Sequence, residues 1–97
     1  MARASFHPLA ERELIDAAQY YEIESPGLGA RFLDAAERCE RSILAYPHAG
    51  TIVHGEIRRR LLQAFPYALL YKAGAESVRV LVVMSLKRRP MYWAGRE

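Results

Sequence analysis

Residues 20–32 read YYEIESPGLGARF, and the break at Ser25-Pro26-Gly27-Leu28-Gly29 inside an otherwise helical pattern decides the fold. Upstream of it, Leu14, Ala17, Ala18 and Tyr21 recur at three- and four-residue spacing. That period predicts an amphipathic helix from Pro8 to about Glu24. Pro8 suits the first turn, where its missing N–H costs nothing, and His7 then takes the cap position. Glu11 and Glu13 complement the dipole at that end. Downstream, Phe32, Ala36, Cys39 and Ile43 resume the same period in a second helix that ends near Pro47. Two long helices joined by so short a loop are expected to lie antiparallel as a hairpin.

Strands flank this hairpin. Met1 to Phe6 forms a short first strand, and Pro47 to Gly55 reads as a loop containing His48, Gly50 and His54. The pattern then changes to period two. Ile57, Arg59 and Leu61 alternate with Arg58, Arg60 and Leu62; Phe65 to Lys72 is aromatic and aliphatic; Ser77 to Met84 is rich in Val. Ala73-Gly74-Ala75-Glu76 supplies a hairpin turn between the last two. The expected order is strand, helix, helix, strand, strand, strand: an α+β fold with the helical hairpin packed on one face of a mainly antiparallel sheet. Neither an internal repeat nor a low-complexity tract interrupts it.

A chain of 97 residues that is 52% hydrophobic is long enough to bury a core without a metal or disulfide, so residues 1–97 are expected to form a single domain. Charge is divided along it. Residues 1–50 hold eight Asp/Glu against five Arg, and residues 51–97 hold nine Lys/Arg against three Glu, which together give the net +3. Such a division presents a basic surface to phosphate or to an acidic partner while the acidic half stays out of contact. Cys39 is the one cysteine and has no internal partner. Without a signal-like start, and with apolar stretches as short as Val80 to Met84, the expectation is a cytoplasmic protein with no membrane association. His7, His48, His54 and Cys39 lack any metal-ligand spacing, so neither metal nor cofactor is expected.

Four segments in this order, YYEIESPGLGARF (20–32), GEIRRRLL (55–62), FPYALLY (65–71) and RRPMYWAGR (88–96), make the chain similar to the RelE/ParE superfamily of bacterial toxins, often described as plasmid stabilisation proteins. The likeness runs nearly end to end. It implies the toxic half of a type II toxin–antitoxin module, held inactive in a hetero-oligomer by a cognate antitoxin whose C-terminal segment wraps the toxin.

The residues have their own reading beside the resemblance. In FPYALLY, Phe65, Tyr67, Leu69 and Tyr71 share one face and Ala68 and Leu70 the other, as in a central strand covered by helices on one side. The loop SPGLG is structural, since no P-loop Lys or Ser/Thr follows it. Arg58 and Arg60 project from one face of their strand and Arg59 from the other. Apolar Ile57 and Leu61 beside Arg59 favour its face as the helix-covered one, leaving Arg58 and Arg60 more open; the opposite facing also stays open. Lys87, Arg88 and Arg89 would converge with this cluster if their strands are neighbours, or stand as a solvated basic end. Tyr92 and Trp93 either cover the core or offer an aromatic surface to a partner. The candidate partner-binding set is thus Arg58, Arg60, Lys87, Arg88, Arg89, Tyr92 and Trp93.

The superfamily divides into toxins that cut mRNA on the ribosome and toxins that block DNA gyrase without catalysis. Cleavage by attack of a 2′-OH needs a base, a leaving-group acid and cations on the developing charge, and the resemblance would place Arg59 or Arg60, Arg88 or Arg89, and Tyr92 there, with Arg59, Arg89 and Tyr92 as the first choice. Arg cannot act as an ordinary base because it stays protonated. Where many relatives carry His after the last strand, this chain has Ser85, which removes the side chain that titrates near neutrality. With the long SPGLG hairpin, this favours a gyrase-directed, non-catalytic toxin. The alternatives are a ribosome-dependent mRNA endonuclease and an inactive relative that only binds its antitoxin.

Overall fold

The computed structural model describes residues 3–89 and 91–96. Strand β1 (Arg3–Phe6) leads into helices α1 (Pro8–Glu24) and α2 (Leu28–Ala45), followed by strands β2 (Thr51–His54), β3 (Ile57–Leu61), β4 (Tyr67–Ala73) and β5 (Ser77–Ser85). This is the expected α+β arrangement with one strand more. Of the segment expected as β1, Met1 and Ala2 lie outside the described residues. The extra strand is β2, inside the stretch that reads as loop; Thr51 pairs with Arg59 and Ile52 with Arg58 before a bulge shifts the register. Four residues broken by a bulge are too few to show alternation, and only the β-branched run Thr-Ile-Val marks the strand.

The sheet order is β1-β5-β4-β3-β2, with β1 parallel to β5 and every other pair antiparallel. Both helices pack on one face, where Phe32 and Ile43 meet Leu69, Tyr71, Val80 and Val83. On the far face Ala68, Leu70, Leu81 and Val82 are covered by Trp93. Strands β4 and β5 are therefore buried on both sides, which is why they read as nearly continuous apolar runs. Tyr71 is fully buried, and its hydroxyl donates to the Pro47 carbonyl at 2.7 Å, tying the end of α2 to the sheet.

The SPGLG turn works by close approach. Gly27 adopts φ +88°, a left-handed conformation that costs glycine little. Its N–H and that of Gly29 donate to the Glu22 carboxylate at 3.0–3.1 Å, so a side chain from the end of α1 caps the start of α2. A Cβ at Gly29 would lie 2.6 Å from the Ala18 carbonyl oxygen, so the helices can touch here only through glycine. Tyr21, Phe32, Phe65 and Tyr67 then form a cluster of rings with centroids 5.0–6.1 Å apart between the hairpin and the sheet.

Candidate functional site

Strand β1 covers only the first half of the outer edge of β5. Its pairing ends at Phe6 with Val80, and the His7 N–H closes the ladder on the Val80 carbonyl at 2.8 Å. Beyond this point two side chains finish the edge. The Val83 N–H donates to Glu13 Oε1 at 3.0 Å, and Arg96 Nη1 donates to the Leu81 carbonyl at 3.0 Å. Arg96 and Glu13 also meet each other in a two-pronged pair at 2.9 and 3.0 Å, and the Tyr92 hydroxyl donates to Glu13 Oε2 at 2.9 Å. One carboxylate on α1 thus gathers the last strand and the C-terminal segment, and the parallel guanidinium–carboxylate geometry is the strong form of this contact. Burial, then the bond to Glu13, raises the pKa of the Tyr92 hydroxyl and holds it in its protonated form. The hydrogen bond to Glu13 raises that of Arg96 against the opposing effect of burial.

Against this clasp lies a cleft of about 310 Å³ bounded by Glu13, Asp16, Tyr20, Tyr67, Ser85 and Arg88. The Arg88 guanidinium sits 4.0 Å above the centre of the Tyr92 ring, within cation–π range. The turn that follows β5 is fixed by the Leu86 N–H on the Pro66 carbonyl and the Arg88 N–H on the Ser85 carbonyl. Lys87, Arg88 and Arg89 are exposed, and together they form a cationic knuckle at the end of β5. Pro90, which follows them, lies outside the described residues.

The first arginine cluster is placed differently from the favoured expectation. Arg58 and Arg60 face the helices: Arg58 Nη1 donates to the carbonyls of His48 and Gly50 at 3.1 and 2.9 Å, and Arg60 Nη2 donates to the Ser42 hydroxyl on α2. Arg59 lies on the other face with Ile57, which packs against the Trp93 cluster. The facing is reversed because the far face is itself apolar, so Ile57 and Leu61 did not identify the helix side. The two basic clusters do not converge, since β4 separates β3 from β5 in the sheet. Of the residues considered for RNA cleavage, Arg59 is in mid-strand opposite Leu70, Arg89 is exposed past the end of β5, and Tyr92 has Glu13 and Arg88 as its partners. Trp93 is only 5% exposed and fills the far-face core. Glu13, Asp16 and Arg96 were not singled out as site residues, and nothing in their local spacing links positions 83 residues apart.

A family model described as the ParE toxin of the type II toxin–antitoxin system parDE matches residues 4–90. The match takes in β1 from Ala4 onward, the other four strands and both helices, but not the clasp residues Tyr92 and Arg96. Among solved structures, the chromosomal ParDE TA system from P. aeruginosa superimposes with a TM-score of 0.66 at 14% identity, covering 88% of this chain and 96% of that one. No curated protein matches the chain.

Proposed function

The chain belongs to the ParE toxin family of type II toxin–antitoxin systems, and from that premise we propose that it arrests growth by binding DNA gyrase in the cytoplasm, without catalysis, until a cognate antitoxin sequesters it. The observation that carries this reading is the cationic knuckle Lys87–Arg89, exposed at the end of a strand buried on both faces and held in place by Arg88 stacked on the clasped Tyr92. A rigid, solvent-facing cluster of three cations suits recognition of an acidic or phosphate-bearing surface. It supplies no base. Tyr92, the one hydroxyl considered for proton transfer, donates to a carboxylate and has its pKa raised, which suits a structural role better than a catalytic one. The antitoxin is expected to be an acidic amphipathic segment that complements the same charge.

The test is a supercoiling assay with gyrase from the source organism, ATP and relaxed plasmid. Wild-type protein is expected to block supercoiling and trap linear DNA, and the variant with Lys87, Arg88 and Arg89 changed to Gln should do neither while still binding antitoxin. Unchanged inhibition by the variant would remove the knuckle from the mechanism. Ribosome-dependent mRNA cleavage that is lost in Arg59→Ala would replace gyrase as the target.

A further inference from the structure

A second recess, of about 170 Å³, opens between α2 and the end of β3, away from the clasp and the knuckle. Its polar lining consists of Arg38, Cys39, Ser42, Arg60 and Gln63, and Ala35 and Leu61 form its apolar walls. Two guanidinium groups border it without a carboxylate. Among the described residues, the ion pairs join Arg12 to Asp16, Arg41 to Glu37, Lys72 to Glu56 and Arg96 to Glu13, and neither Arg38 nor Arg60 takes part in them. Arg60 is also incompletely satisfied. Its Nη2 donates to Ser42, while Nη1 is shut off from solvent and has no hydrogen-bond partner among the described residues. Leaving a charged donor buried and unpaired is costly, and the cost is recovered when an acceptor arrives.

We propose that this recess is a carboxylate site that receives a single acidic side chain from a protein segment. A carboxylate matches the flat guanidinium fork, and binding it requires the Arg60 side chain to turn so that Nη1 opens to the recess. The apolar walls suit the aliphatic stem of a glutamate. A nucleic-acid phosphate, flanked on both sides by sugars, is too bulky for a recess of this size. Arg38 at the rim adds a second cation, and the Gln63 amide a neutral donor. The site does not depend on which target the toxin attacks.

The test is a 15N-resolved NMR titration of the full chain at constant ionic strength with capped glutamate, capped glutamine and inorganic phosphate. Capped glutamate should give saturable shifts at the Gln63 side-chain amide and at backbone positions 38–42 and 60–63, and capped glutamine none. Binding should weaken at least tenfold in Arg60→Met. If that variant does not fold, Arg38→Gln, a change at an exposed position, should still weaken binding several-fold. Equal shifts with glutamine, unchanged binding in whichever variant is read, or saturation by phosphate alone would each overturn the proposal.

Discussion

Among the described residues Glu13 joins three separate parts of the chain, because its two oxygens receive a strand N–H, a tyrosine hydroxyl and both prongs of Arg96. The pair is mostly buried, with Arg96 and Glu13 side chains 11% and 20% exposed. Removing one partner strands the other charge, so Glu13→Ala is expected to cost about 3–5 kcal/mol in chemical denaturation, far above the value for an exposed pair. A loss below about 1 kcal/mol would show that water replaces the carboxylate. Cys39 makes a prediction in pH. Burial, partly offset by Arg60, pushes its thiol up to about 11 from an ordinary 9.0. The folded chain keeps a proton that the unfolded chain releases, so this contribution is complete below about pH 9 and is lost as pH rises toward 11. Tyr21, Tyr67 and Tyr92, also raised, add the same sign at higher pH, so the thiol's share is the difference in slope between wild type and Cys39→Ala. Iodoacetamide at pH 8 should label the folded protein far more slowly than the protein in urea. Glu13 could be read only as a helix-dipole partner, since a contact 83 residues away leaves no trace in local spacing.

At the scale of elements, the segment 91–96 is a structural strap as well as a neighbour of the cationic knuckle. Trp93 covers Leu70, Leu81 and Val82, so Trp93→Ala should cost about 3–5 kcal/mol, measured by urea unfolding. For the same reason a chain ended before Pro90 loses the far-face cover and the Arg96 pair together. It is expected to unfold, whereas the Lys87/Arg88/Arg89→Gln variant loses only the Arg88–Tyr92 stacking and keeps wild-type stability to within about 1 kcal/mol. A stable, inactive truncation would contradict the strap. The helices, β3 and the β4–β5 hairpin were legible because each is long enough for its period to show and is bounded by proline or glycine. Strand β2 was not, being four residues and a bulge. The facing of β3 was misjudged for a different reason: apolar neighbours report burial, and in this sheet both faces bury apolar side chains. Gly29 shows a signal that could be read in kind but not in cause, since it looked like a turn residue and proves to be where the helices touch.

For the whole molecule, the division of charge along the sequence becomes a division between elements, although α1 and the knuckle meet at the cleft that Glu13, Asp16 and Arg88 line. Helix α1 carries five carboxylates against one arginine, while the strands from β3 onward and the turn after β5 hold most of the basic residues. The net charge of +3 is too small to steer a partner strongly by itself, so an orienting field has to come from a local cluster such as Lys87, Arg88 and Arg89. Changing Lys87, Arg88 and Arg89 to Gln brings the net charge to zero and removes that cluster. If the knuckle acts through its field, an acidic antitoxin segment should associate with wild-type toxin roughly tenfold more slowly as salt rises from about 0.01 M to physiological strength, because the Debye length shrinks from about 30 to 8 Å over that range. The triple variant should lose most of this salt dependence, with its dissociation rate nearly unchanged. Stopped-flow mixing with a fluorescent antitoxin segment at several salt concentrations separates the two rates. A faster dissociation with unaltered association would mean that these cations are buried contacts in the complex, and that the orienting field arises instead from the arginines of β3.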